Sequence, residues 1–111
     1  MDKKIAGPDV RKEILQLSQN PENVRTTKTA IYDMMGLHLT KYDVCEAISD
    51  WINKGEEVQI IITKHANGHI GEPQYAMKPE INKIKCYIKV SIKKNTTSEN
   101  NLLIISAHEP H

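Results

Sequence analysis

The sequence contains no phenylalanine, a single tryptophan and four tyrosines in 111 residues. Its core must therefore be aliphatic, built from Ile, Leu, Val and Met with help from Tyr and Trp51. Charge of one sign is also missing: 15 Lys and Arg face 14 Asp and Glu, a net charge of +1. A general electrostatic case for nucleic acid is thereby excluded, and any electropositive site must come from how charges are placed. Only two cysteines occur, Cys45 and Cys86, with no CxxC pair between them. They read as small buried hydrophobes in a reducing compartment, although a disulfide is left open by sequence alone. No apolar run approaches the roughly 18 residues of a membrane span, so no membrane partner is expected. The start Met-Asp-Lys-Lys has no apolar stretch of the signal-peptide kind, which makes the cytoplasm the expected location. The phosphate-binding G-x-x-x-x-G-K-[ST], the dinucleotide G-x-G-x-x-G and the hydrolase G-x-S-x-G are all absent, which argues against ATP-dependent and nucleophile-elbow chemistry.

What is present is an ordered pattern. A hydrophobic content of 39% and a charged content of 26% are those of a folded domain, and the length fits one domain across 1–111, with 1–7 expected to fray. Pro8 suits the first turn of a helix whose face is Val10, Ile14 and Leu17, and Asn20-Pro21 ends it. Residues 24–27 read as a short extended link. Thr26 or Thr27 can cap a second helix running to about Met35, with Ala30, Ile31, Met34 and Met35 on its apolar side and Gly36 as a left-handed stop. Thr40 and Asp43 form a capping-box signal for a third helix, with Val44, Ala47, Ile48, Trp51 and Ile52 at 3–4 spacing and Gly55 as its stop.

After Gly55 the period changes to two. Residues 58–64 read as a strand, 65–73 as a loop, and 74–78 as a short strand broken by Pro79. Residues 84–93 alternate: Ile84, Cys86, Ile88, Val90 and Ile92 point one way, and Lys85, Tyr87, Lys89, Ser91 and Lys93 the other. A polar turn at 95–101 leads to a closing strand at 102–107, antiparallel to the one before. Three helices followed by about four strands predict an α+β fold, with N-terminal helices packed on one face of a twisted, mainly antiparallel sheet.

The Lys/Tyr strand face has two readings. A solvated sheet face needs charged residues, and Lys also discourages edge pairing. A basic surface bearing an aromatic also suits the phosphates and bases of RNA, where Lys85, Lys89 and Lys93 attract the backbone and Tyr87 offers a stacking surface. His65 and His69 stand four apart on a Gly-containing loop rather than a helix, a weak metal signal. His108 follows the last strand directly, where an imidazole can exchange a proton near neutral pH.

Several segments resemble one family. Val24-Arg25-Thr26-Thr27-Lys28-Thr29-Ala30 resembles the V-R-T-T-[RK]-[ST]-A segment that opens the second helix of the motility quorum-sensing regulator toxins. Gln74, Pro79 and Tyr87 keep that family's spacing, Tyr87-Ile88-Lys89 resembles its Y-[LI]-K strand, and Ile104-Ile105-Ser106-Ala107-His108-Glu109 resembles its closing V-V-S-F-[KH]-E strand. The likeness covers roughly residues 24–109. It implies a RelE-like fold and a metal-independent endoribonuclease, an mRNA interferase that uses no cofactor. It also implies messenger RNA as substrate and a cognate antitoxin protein as partner, with the ribosome as a further candidate. Carried over by position, Gln74 and Tyr87 match active-site positions and His108 falls where the last strand carries Lys or His. Lys64 is the nearest candidate for the family's upstream active-site lysine. The same residues also fit a RelE-like module that binds RNA or protein without cleaving it, and a regulatory domain whose Lys/Tyr face docks an acidic partner.

Overall fold

The computed structural model describes residues 4–62, 71–95 and 99–110. Helix α1 (Pro8–Ser18) opens with Pro8 in its first turn, where the missing N–H costs nothing. A single 3-10 turn at Pro21–Asn23 leads into strand β1 (Val24–Thr26), helix α2 (Lys28–Gly36) and helix α3 (Lys41–Asn53). Strands β2 (Gln59–Ile61), β3 (Gln74–Met77), β4 (Glu80–Ile81), β5 (Ile84–Lys85), β6 (Tyr87–Lys93) and β7 (Asn101–His108) follow. Five strands form one sheet in the order β1-β7-β6-β3-β2, antiparallel except for the β1–β7 pair, while β4 and β5 make a separate hairpin. The architecture is the expected α+β arrangement. Among the described residues no helix is long and apolar enough to cross a membrane.

The aliphatic core lies between the sheet and helices α1 and α3. Ile14 and Leu17 of α1 and Val44, Ala47, Ile48 and Ile52 of α3 meet Tyr75, Met77, Ile88, Val90, Leu102 and Ile104 from the strands. The capping box at α3 is formed: Asp43 N–H donates to Thr40 Oγ1 at 3.2 Å, and Thr40 N–H to Asp43 Oδ2 at 2.8 Å. Its other end is closed by Arg11 of α1, whose guanidinium donates to the Glu56 and Ile52 carbonyls, a cation placed at the negative end of the helix dipole. Ser18 and Ser49 hydroxyls meet at 2.8 Å between the two helices.

Several expectations need correction. Residues 4–6 do not fray: Ile60 N–H donates to the Lys4 carbonyl and Ala6 N–H to the Val58 carbonyl, both at 2.8 Å, so they run along the outer edge of β2 and bury Ala6. The link at 24–27 is an edge strand, β1, paired in parallel with β7. Three residues without alternation gave too short a signal to reveal it. Gly36 is the last residue of α2 and does not adopt a left-handed conformation; the positive φ falls on His38, at 56°, while Gly55 does stop α3 with φ 80°. Only Ala30 and Met34 of α2 are buried, and Ile31, Tyr32 and Met35 are exposed. The reason is geometric: α2 packs along the edge of β7, so only a narrow strip of it reaches the core.

The strand expected at 84–93 is two strands. Ile81 and Ile84 pair across a two-residue turn, Asn82-Lys83, with φ of 53° and 69°. Positive φ at both positions is the I′ hairpin geometry, disguised in the sequence by a Lys where Gly usually stands. Cys86 then closes the hairpin base by donating its N–H to the Pro79 carbonyl at 2.9 Å. Lys85 consequently pairs with Glu80 in the hairpin, away from the main sheet.

Strand β7 runs past the end of β1 and bulges there: Val90 pairs with Ile104 but Lys89 with Ser106, leaving Ile105 as the extra residue. The start of α2 satisfies the backbone that β1 leaves open. Thr27 N–H donates to the Ile104 carbonyl at 3.1 Å, and Thr27 Oγ1 donates to the Ile105 carbonyl at 2.6 Å while accepting from Ala30 N–H at 3.0 Å. Farther along, Asp33 Oδ2 accepts from Ala107 N–H at 3.1 Å. Thr27 thus caps a helix and pins a strand, whereas Thr40 only caps. Thr27→Ala is expected to destabilise the fold by about 2 kcal/mol and Thr40→Ala by about 1 kcal/mol. Urea unfolding of the two variants tests this ranking, and equal losses would refute the double role of Thr27.

Candidate functional site

Helices α1 and α3 lie on one side of the sheet, and among the described residues no helix covers its other, open face. Strand pairing decides which side chains point there. Gln59 pairs with Ala76, Ala76 with Lys89, and Lys89 with Ser106, so these share the open face. Tyr87, Ser91 and Lys93 follow along β6, Gln74 lies on β3 in register with Ser91, and His108 pairs with Tyr87. The period of two on β6 carries the open face as expected, and Lys85 lies just before it in the β4–β5 hairpin.

At one end of this face the rings of Tyr87 and His108 stack, with centroids 5.7 Å apart and an interplanar angle of 30°. Both are half-buried, so each is held by its neighbour yet reachable from solvent. His108 Nδ1 lies 2.7 Å from the Glu109 carbonyl. A carbonyl only accepts, so Nδ1 carries the ring proton and Nε2 is the basic nitrogen of the neutral ring. Lys89, half-buried, stands one pleat from Tyr87 on the same face and directly across from Ser106. The pairing of the last residues of β7 therefore brings together an aromatic hydroxyl, an imidazole and an ammonium from positions 87, 89 and 108.

The remaining expected residues are less concentrated. Gln74 shares the face but lies level with Ser91, four residues from Tyr87, or about 13 Å along the sheet. Lys93 is exposed and paired with Glu72, Nζ to Oε2 at 2.6 Å, and such an exposed pair contributes little. Lys64, His65 and His69 lie outside the described residues, as does His111. Tyr75 points to the core; burial first and then the Glu13 carboxylate raise its hydroxyl above the ordinary tyrosine value.

Three polar residues matter that the sequence did not single out. Asp33 fixes the end of β7 through Ala107, next to His108; a lone carboxylate inside the apolar stretch 30–35 was the available signal. Ser91 and Ser106 are 3% and 6% exposed, and neither hydroxyl has a hydrogen-bond partner. Both lie on the open face, where buried polar groups normally find partners. Both cysteines are free and buried. Burial pushes the Cys45 thiol up from about 9 to about 11 against the opposing pull of Lys41, and burial followed by the Glu109 carboxylate raises Cys86. Neither is poised as a thiolate nucleophile.

Compared with protein-family models, with curated proteins and with solved structures, the chain gives no significant match.

Two outcomes follow from the geometry. Asp33→Ala should make local opening at Ala107 and His108 easier by about 1–3 kcal/mol, seen as faster amide exchange there than at Leu102. Asp33→Asn, which keeps an acceptor oxygen, should restore protection, and equal exchange in both variants would remove Asp33 from this role. The Cys45 thiol is ionised at lower pH in the unfolded chain than in the folded one. Its contribution to stability is therefore complete below about pH 9 and is lost as pH rises toward about 11. Urea titrations of the parent and Cys45→Ala between those values check this, since the variant should lack that part of the alkaline decline.

Proposed function

We propose that this protein is a metal-independent endoribonuclease that cleaves messenger RNA on the open sheet face. In this reading it is a toxin of the RelE-like kind that its sequence resembles, neutralised by a cognate antitoxin protein. The observation that carries the reading is the Tyr87–His108 ring stack beside Lys89. A ribonuclease of this class needs little more. The RNA's own 2′-OH attacks the adjacent phosphorus, the new O2′–P bond forms as the P–O5′ bond breaks, and the products are a 2′,3′-cyclic phosphate and a free 5′-OH. His108 Nε2 takes the proton of the 2′-OH, and the Tyr87 hydroxyl gives a proton to the departing O5′. Lys89 offsets the charge that builds on the phosphorane oxygens. Lys93 and Lys85 serve as attraction for the RNA backbone rather than as chemistry.

A second reading is a RelE-like module that binds RNA or protein without cutting. It is favoured by the roughly 13 Å between Gln74 and Tyr87, which separates two positions expected to act together. The exposed Ile31, Tyr32 and Met35 on α2 fit either reading, because both call for a protein partner.

Purified protein should cleave unstructured RNA in the presence of a chelator and leave 2′,3′-cyclic phosphate ends detectable by mass spectrometry. His108→Ala should lower the rate by about 10²–10⁴-fold, and Tyr87→Phe should lower it without weakening stacking on RNA. Induced expression should arrest growth, and the double variant should not. RNA binding with a steep log–log salt dependence but no cleavage would leave only the binding module.

A further inference from the structure

Away from the Tyr87–His108 pair, the open face dips into a groove between β3, β6, β7 and the start of α2. Leu103 and Ile105 form its apolar floor, and Gln74 and the Lys93–Glu72 pair form its walls. Ser91 also lines it, 3% exposed and with no partner for its hydroxyl. Thr27 reaches the groove as well, but its hydroxyl is already used by the Ile105 carbonyl and Ala30 N–H. Among the described residues, the uncommitted polar side chains lining the groove are therefore the Gln74 amide and the Ser91 hydroxyl.

A buried hydroxyl without a protein partner costs free energy. It is satisfied if a ligand brings its own polar edge. Two aliphatic side chains below and an amide beside them suit a flat heteroaromatic ring: its face lies on Leu103 and Ile105, and its edge meets Gln74 and Ser91. A glutamine amide presents one donor and one acceptor side by side, the pattern that pairs with a nucleobase edge. Single-stranded RNA offers such edges once its bases are unstacked.

We infer that this groove is a nucleobase subsite for a nucleotide flanking the scissile one, and that Gln74 selects that base. The inference rests on the ribonuclease reading. It moves Gln74 from the reacting centre to a neighbouring subsite, in keeping with the roughly 13 Å of backbone between it and Tyr87.

The test is cleavage of a short RNA pool randomised on both sides of the cut, with products sequenced. The parent protein should prefer one base at a fixed flanking position. Gln74→Ala should shrink that preference by about 5- to 150-fold, the worth of one bidentate base contact. Gln74→Glu is nearly isosteric but exchanges the amide donor for a second acceptor and adds a negative charge, so it should change which base is preferred. Ser91→Ala should weaken the same preference at the same position. An unaltered preference in all three variants, with cleavage intact, overturns the subsite and leaves the ribonuclease standing. Methyl NMR with uncleavable 2′-O-methyl hexanucleotides gives a second arm. Leu103 and Ile105 signals should shift on binding, whereas shifts confined to the Tyr87 and His108 rings overturn the groove alone. Neither cleavage nor any shift overturns both readings.

Discussion

Strand β7 is longer than the strand beside it, and the consequences of that mismatch run through the molecule. Backbone N–H and C=O groups must be paired or wetted, and β1 covers only residues 102–104. Beyond them the chain turns into α2, and that helix supplies the missing partners through Thr27 and Asp33. The bulge at Ile105 lets this happen, because it breaks the ladder at the point where a side chain rather than a strand becomes the partner. Helix α2 is thereby held against an edge instead of a face. It buries two apolar residues and leaves others in solvent, and its usefulness lies in polar contacts rather than in burial.

The same arrangement determines what the open face can present. One helical layer covers one side of the sheet, and among the described residues no helix covers the alternate residues of β3, β6 and β7 on the other. Buried aliphatics on the covered side anchor the central strands, and the paired ends of β6 and β7 carry Tyr87 and His108. The ring stack is a cross-strand pair at the end of the longest ladder in the sheet, where the strands are still paired but solvent can enter. Lys89 sits farther in, across from a serine hydroxyl that has no partner.

Much of this was legible in residue order. The cap at Thr40 and Asp43, the stop at Gly55 and the apolar face of α3 are local signals and could be read without knowing the fold. The period of two over residues 87–93 gave the open face correctly for Tyr87, Lys89, Ser91 and Lys93. What failed was non-local or disguised. A three-residue parallel strand has no periodicity to detect, and Asn82-Lys83 does not announce a hairpin as Asn-Gly would. Lys85 falls in a separate hairpin because the ladder breaks at Cys86, a break that continuing alternation does not announce. Gln74 is grouped with Tyr87 by the family resemblance, but register, which sequence does not specify, sets them about 13 Å apart along the sheet.

Strand β1 and its partner β7 are separated by 78 residues or so of intervening chain, as the contact from Thr27 to Ile105 measures. Closing so long a loop is entropically slow and returns nothing until both ends meet. Helices α1 and α3 can associate early in synthesis, but β6 has no neighbour on one side until residues 101–108 emerge. A nascent chain therefore holds every helix and most of the core before it holds an open face. The open face is thus the last surface to be assembled, when the sheet zips shut.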